Sequence, residues 1–478
     1  MLKASASVLF VCILFSCAQQ EVPPPAPVGP LPTAAQLEWH RMEMNAFVHF
    51  SINTFTDKEW GYGDESPALF NPDSLDASQW VSLFKEVGFK TVILTSKHHD
   101  GFCLWPSKFN SHNVSASPVK TDVVRAVSDA CKSHGLKFGV YLSPWDRNHK
   151  DYGTPAYVDY YRNQLVELFN AYGPVFEMWF DGANGGDGYY GGAREKRSIN
   201  GSTYYEWPKT LELVRSMSPD IIFFSDAGPG VRWVGNERGV AGETNWNTIT
   251  PDTLFAGKPG IEQLLGSGSP DGTHWIPAET DVSIRPGWFY HQREDSLVKS
   301  PDRLFEIYLT SVGRGSTLLL NIPPDRHGRI HRNDVRALRG FRQKLDEVFS
   351  NDLAAGAQSQ ADAVRGGSDA FGSGKLTDGD IDTYWATDDG VTSASATLEW
   401  DNPVPVNYVV LQEPIQIGQR VSAFTVEGKV NGEWKQLASG TTIGYKRILR
   451  VDPVEVGALR VNITGSKACV ALSNLSVY

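Results

Sequence analysis

Asp181 closes the apolar run Phe176 to Phe180 and is followed at once by Gly182. A carboxylate in that setting is costly to desolvate unless it is paired or used in chemistry. Glu237, in Gly235-Asn236-Glu237, is the natural second carboxylate. Glu243 and Glu279 compete with it, and spacing does not choose among the three. Two carboxylates about 5–5.5 Å apart can serve as nucleophile and acid/base in retaining cleavage of a glycosidic bond. His49, His98 and His99 each follow an apolar run. Three imidazoles could form a zinc site, but these three lack the His-x-x-x-His spacing of a helical one. Neutral imidazoles that donate to and accept from hydroxyl groups are the better reading. The bland alternative, structural rim histidines, is weaker for three together than for one.

Composition narrows the partners. The chain has 478 residues with a net charge of −11, which disfavours nucleic acid or an anionic membrane surface as the main partner. Hydrophobic residues at 41% and charged residues at 21% exclude a disordered or coiled-coil chain. Five cysteines are too few for a disulfide framework. Aromatic residues, at 14 Trp, 17 Tyr and 23 Phe, suit ligands that are part apolar and part hydroxylated, sugars above all. A large core and a sandwich explain the same count without a ligand.

These residues need elements to hold them. Apolar runs of strand length occur at 45–50, 90–96, 138–143, 176–181, 221–225 and 316–322, with helical stretches between them. Asp76-Ala77-Ser78-Gln79 has the form of a capping box for the helix that follows. Val123–His134 and Ala156–Tyr172 each stop at a glycine. Strand–helix units repeating about every 40 residues predict an α/β, TIM-like (β/α)8 barrel over residues 36–350. A sixth and seventh strand are expected between Gly239 and Tyr290. The rival, a doubly wound open sheet, would carry a Gly-rich turn after its first strand. Residues 50–54 (FSINT) contain no glycine. In a barrel the C-terminal strand ends carry the site. Those ends give His49, then Lys97 to Phe102, Tyr141, Trp179 to Gly182, and Arg232 to Glu237. Residues 351–478 shift to short alternating strands, the pattern of a C-terminal β-sandwich.

The N-terminus carries an address. Lys3 and the apolar run Val8 to Phe15 lead into Leu14-Phe15-Ser16-Cys17, which resembles a bacterial lipoprotein box. The expectation is a signal peptide over 1–16, a lipid on Cys17 as membrane anchor, and residence in the bacterial cell envelope, periplasmic or on the outer-membrane surface. Ordinary secretion is the alternative. Residues 17–35 read as a stiff Pro-rich tether.

Taken in order, His49-Phe50, Glu59-Trp60, Lys97 to Phe102, Tyr141, Trp179 to Gly182, and Gly313-Arg314-Gly315 to Leu320-Asn321-Ile322 resemble the α-L-fucosidases of glycoside hydrolase family 29. Trp179 to Asn184, Trp233 to Glu237 and Ser283 to Tyr290 are most similar to the branch acting on α-1,3/1,4-linked fucose of branched oligosaccharides. The resemblance implies a retaining mechanism with Asp181 as nucleophile and Glu237 as acid/base. It implies a fucose pocket built from His49, Glu59, Trp60, His98, His99, Tyr141 and Trp179, with Arg232 and Trp288 as further candidates. It implies no cofactor for catalysis. Gly185 to Tyr205 is longer than that family's pattern leads one to expect. Asp378 to Thr387 resembles the opening of discoidin-type galactose-binding sandwiches, where a structural Ca2+ is common, and Asp378 and Asp382 would be its ligands. A plain turn capped by aspartates is the equal alternative. Two rival functions are a glycan-capture lipoprotein without catalysis and a glycosidase for another α-linked sugar. The intact Asp181 and Glu237 argue against the first.

Overall fold

The computed structural model describes residues 22–478, so the segment 1–16 expected to be a signal peptide, and Cys17, lie outside the described residues. Eight parallel strands close into a barrel. They are β1 (Met44–Val48), β2 (Thr91–Lys97), β3 (Lys137–Leu142), β4 (Val175–Trp179), β5 (Ile222–Ser225), β6 (Val231–Trp233), β7 (Ala278–Ser283) and β8 (Thr317–Asn321). Each pairs with its neighbours in sequence, and β1 closes the ring on β8 through Met44–Leu318 and Asn45–Leu319. This closure rules out the doubly wound sheet. Both faces of the strands are covered, which is why β1, β2 and β8 are buried at every position and read as continuous apolar runs.

The helices follow the predicted punctuation with two differences. The helix Ala77–Val87 begins where Asp76 accepts from the Gln79 amide at 3.0 Å. Gln79 does not return to the cap; its side chain bonds the backbone of Ile330 in both directions, so only half the capping box forms. The helix Val123–His134 ends at Gly135 in the left-handed region (φ 73°), as its sequence predicts. The helix Pro155–Ala171 ends on extended Tyr172 instead of on a glycine cap.

The sixth strand corrects the sequence reading. It lies at Val231–Trp233, before Gly239, and follows β5 after only five residues with no intervening helix. The seventh, Ala278–Ser283, falls within the expected window.

The C-terminal domain is all-β with its own core around Leu398, Val461 and Leu475. Its six-stranded sheet contains β9 (Gln358–Ala361), β10 (Ala394–Gln412), β11 (Val421–Val430), β12 (Glu433–Gly440), β13 (Arg447–Ser466) and β14 (Asn474–Val477). The order is β9-β10-β13-β11-β12, with β14 pairing β10. The described part of the Pro-rich segment is not a free tether. Arg365 Nε donates to Pro23 O at 2.6 Å, Arg420 to Ala26 O at 2.9 Å, and the Val28 amide to Ile417 O at 3.1 Å. Prolines supply no N–H, so the segment cannot pair as a strand, and arginine donors on the sandwich satisfy its carbonyls at Pro23 and Ala26.

The pair Asp378 and Asp382 is not gathered as a cation cage. Asp382 bonds Arg41 of the helix Ala34–Met42 at 2.5 Å. Asp378 accepts from the Asp380 amide at 3.0 Å and from Thr383 Oγ1 at 2.7 Å. These are turn and interdomain contacts. Among the described residues no three His, Cys, Asp or Glu gather as a metal-holding group.

Candidate active site

The C-terminal ends of six of the eight strands, all but β3 and β8, contribute residues to the lining of one cavity of about 280 Å³. His49, Glu59, Trp60, His98, His99, Trp179, Asp181, Glu237 and Trp288 line it. Tyr141 stands behind the lining, in β3, and its hydroxyl donates to Asp181 Oδ2 at 3.0 Å. Arg232 does not belong to the pocket. It is completely buried in β6 and spends its donors on Leu265 O (2.7 Å), Ile276 O, Trp246 O (2.9 Å) and Asn245 Oδ1 (3.1 Å).

Asp181 lies two residues past β4, with its side chain 24% exposed to the cavity. Besides Tyr141, the Ala183 amide donates to its Oδ1 at 2.6 Å. Burial and the Asp181 charge push the Tyr141 phenol well up, so it stays protonated as a donor. Glu237 differs. Burial holds its carboxyl above the usual range, the Trp288 indole N–H at 3.2 Å partly offsets this, and the charges of Asp181 and Glu59 add to it. One carboxylate of the cavity is therefore fixed by donors and the other is held toward its protonated form, the division that nucleophile and acid/base require. The same geometry separates the competitors. Glu243 is not among the residues lining the cavity and is paired with Arg314. Glu279 lies beneath the floor, accepting the Trp179 indole N–H at 3.0 Å, and burial pushes it well up.

The histidines are neutral acceptors. Burial drives His49 down to about 3 and His99 to about 4, and His98 falls well below its ordinary value. Asn321 donates from Nδ2 to Ser283 Oγ (2.9 Å) and Trp288 O (2.8 Å), so its Oδ1 accepts from His49 Nδ1 at 2.8 Å. That assignment leaves His49 Nε2 as an acceptor. Ser143 donates to Trp145 O at 2.6 Å and accepts from His99 Nδ1 at 2.7 Å. His99 Nε2 therefore faces Asp181 Oδ2, 3.9 Å away, with both atoms acceptors. A substrate hydroxyl placed there donates its one proton to one of the two.

Aromatic faces complete the cavity. Trp179 stacks on Phe224 at 3.9 Å and 4°. Trp288 lies 5.1 Å from His49. Trp60 stands 54% exposed at the rim, edge-on to His99 and Trp145. Glu59 is fixed by the amides of Trp288 (2.8 Å) and Phe289 (3.3 Å) and by His291 Nε2 (2.5 Å), whose Nδ1 meets Asp57 at 2.6 Å.

The structure adds Phe47, Asp226, Trp233 and Asp281 to the cavity. Asp226 carried a legible signal: it ends the apolar run 221–225 just as Asp181 ends its own. Burial pushes its carboxyl up to about 6, and the Gly257 amide donates to it at 2.7 Å. Asp281 is paired with the Trp233 indole at 2.9 Å.

A closed parallel barrel with two carboxylates above its strand ends, ringed by neutral imidazoles and indoles, defines a glycoside hydrolase. Residues 26–346 match the family model for alpha-L-fucosidase, and residues 355–474 that of the F5/8 type C domain. The chain belongs to the α-L-fucosidases of glycoside hydrolase family 29. It is 40% identical over 466 residues to alpha-L-fucosidase 1 of Arabidopsis thaliana, covering 95% of this chain and 89% of that one. A glycoside hydrolase 29 family member from a rumen bacterium is 44% identical at a TM-score of 0.85, covering 95% and 78%. A Ruminococcus gnavus glycoside hydrolase 29 fucosidase in complex with fucose is 31% identical at a TM-score of 0.86, covering 96% of each chain.

Proposed function

We propose that this chain is a retaining exo-α-L-fucosidase that removes α-1,3/1,4-linked fucose from branched oligosaccharides or glycans. The observation that carries the mechanism is the contrast between Asp181, held by Tyr141 and the Ala183 amide, and Glu237, raised by burial, in one cavity. Asp181 attacks the anomeric carbon while Glu237 gives its proton to the leaving oxygen. Glu237, now ionised, takes a proton from water, whose oxygen displaces Asp181 and releases fucose with its configuration kept. Atoms balance in both steps without a cofactor. Fucose has three free hydroxyls once linked, suited to the acceptors of His49 and His99, and a methyl group suited to an indole face. Trp179 to Asn184, Trp233 to Glu237 and Ser283 to Tyr290 support the linkage branch. The run into Cys17 supports a lipid-anchored place in the bacterial cell envelope.

Fucose release is measured on aryl α-fucosides and on trisaccharides carrying α-1,2-, α-1,3- or α-1,4-fucose, with the first-formed anomer read by proton NMR. The expected outcome is α-fucose first, from the α-1,3 and α-1,4 trisaccharides. First appearance of β-fucose overturns retention, and turnover of the α-1,2 substrate alone overturns the linkage. No release from any fucoside favours a capture protein.

A further inference from the structure

The segment from Val234 to Asn247, which carries Glu237, has no helix or strand of its own. Such a loop keeps a fixed shape only through bonds to its surroundings. The barrel holds its first half: Thr310 Oγ1 donates to Gly239 O at 2.8 Å and Arg314 to Ala241 O at 2.9 Å. The sandwich holds its second half. Thr442 Oγ1 accepts the Asn245 amide at 2.8 Å. Gln419 Oε1 accepts the Asn247 amide at 2.8 Å, and Gln419 Nε2 donates to Asn245 O at 3.0 Å. Arg447 donates to Glu243 O at 2.7 Å. Gln419 and Thr442 are both buried, so these bonds are made away from water.

The grip reaches the cavity through Arg232. This guanidinium is buried without a carboxylate and is satisfied only by oxygens, two of which, Asn245 Oδ1 and Trp246 O, sit in the stretch the sandwich holds. Burial lowers it to about 9. Arg232 precedes Trp233, whose indole is bonded to Asp281 in the cavity wall.

We propose that the C-terminal sandwich is a positioning device for the acid/base, with Gln419 and Thr442 fixing the loop of Glu237 from outside the barrel. The proposal rests on Glu237 being the acid/base. Proton donation matters most when the leaving group is poor, so a misplaced acid is exposed by leaving-group dependence.

The experiment compares the full chain with Gln419→Ala, Thr442→Val, and Glu427→Gln as a sandwich control whose side chain bonds Arg460 away from this contact. Glu237→Ala is the reference. The substrates are a dinitrophenyl fucoside, a phenyl fucoside and a fucosylated trisaccharide. For the two latch variants, kcat/KM on the dinitrophenyl fucoside should stay within about twofold while kcat/KM on the other two falls about tenfold. Glu427→Gln should show no such split. A loss equal across the three substrates, or no loss, while Glu237→Ala keeps a steep dependence, overturns the latch alone. A flat dependence in Glu237→Ala overturns the acid/base assignment and the latch with it. Thermal unfolding separates a misfolded variant from a misaligned one, and Thr442→Val, nearly isosteric, keeps the test open should Gln419→Ala fail to fold.

Discussion

The carboxyl group of Asp226 lies against Gly182, the residue after Asp181. A Cβ added at 182 would stand 2.8 Å from Asp226 Cγ and 2.9 Å from its Oδ1. The Asp181-Gly182 pair thus has a steric cause: the second residue has no side chain because a neighbouring carboxylate occupies its place. Gly182→Ala should displace Asp226 or the Asp181 backbone. A shift near 1 Å at a nucleophile lowers kcat roughly 100-fold, with an overpacking cost of about 1–3 kcal/mol. Kinetics on an aryl fucoside together with denaturant unfolding check both. Full activity would show that the carboxylate yields without moving Asp181.

Asp226 also makes a signed prediction in pH. Burial, and after it the Asp181 charge, raises its folded value to about 6 from 3.8. The folded chain therefore binds this proton more tightly than the unfolded chain. The group favours folding increasingly as pH falls from above 6 toward 4, and disfavours it once ionised. Asp226→Asn removes that titration. Measured by unfolding at pH 4.5 and pH 7, the variant should gain stability relative to the parent as pH rises. A change in the opposite direction would contradict the raised folded value of this carboxyl.

Trp288 bonds Glu237, the proposed acid. Its indole N–H is the one hydrogen bond that lowers Glu237 against the effect of burial. Trp288→Phe keeps an aromatic wall and removes the donor, so Glu237 should rise further. The alkaline limb of kcat/KM, which reports the acid of the free enzyme, should move to higher pH. A limb that stays in place would assign it to another group.

The order of strands in the sequence was legible where burial on both faces forced continuous apolar runs, as at Thr91–Lys97 and Thr317–Asn321. It failed at Val231–Trp233, where a three-residue strand has arginine at its centre and no helix precedes it. Nothing in the residue type announces that four oxygens will surround Arg232. Ala278–Ser283 was obscure for a related reason. Its Glu279 and Asp281 interrupt the apolar pattern, yet both are buried carboxyls paired with the indoles of Trp179 and Trp233. In the site, Asp181 announced itself by closing an apolar strand. The ranking of Glu237 over Glu243 and Glu279 came from the resemblance, because exposure and pairing with Arg314 or Trp179 are tertiary facts.

Arg285 and Asp334 tie the substrate wall to the last helix of the barrel, Arg332–Phe349. Both side chains are fully buried, with Arg285 Nε to Asp334 Oδ1 at 2.9 Å and a second bond to Oδ2 at 2.6 Å. Arg285 begins the segment that presents Trp288 to the cavity and His291 to Glu59. Arg285→Met leaves Asp334 buried and unpaired and should cost about 3–5 kcal/mol. Adding Asp334→Leu removes the stranded charge, and unfolding free energy should return most of the way. Activity should not return with it, since the bonds from Arg285 to Asp334 and Asp295 that hold the segment are gone in both variants. Unfolding and kcat/KM measured on the single and double variants therefore part company. If activity recovers together with stability, the pair serves the fold alone and the segment keeps its alignment without it.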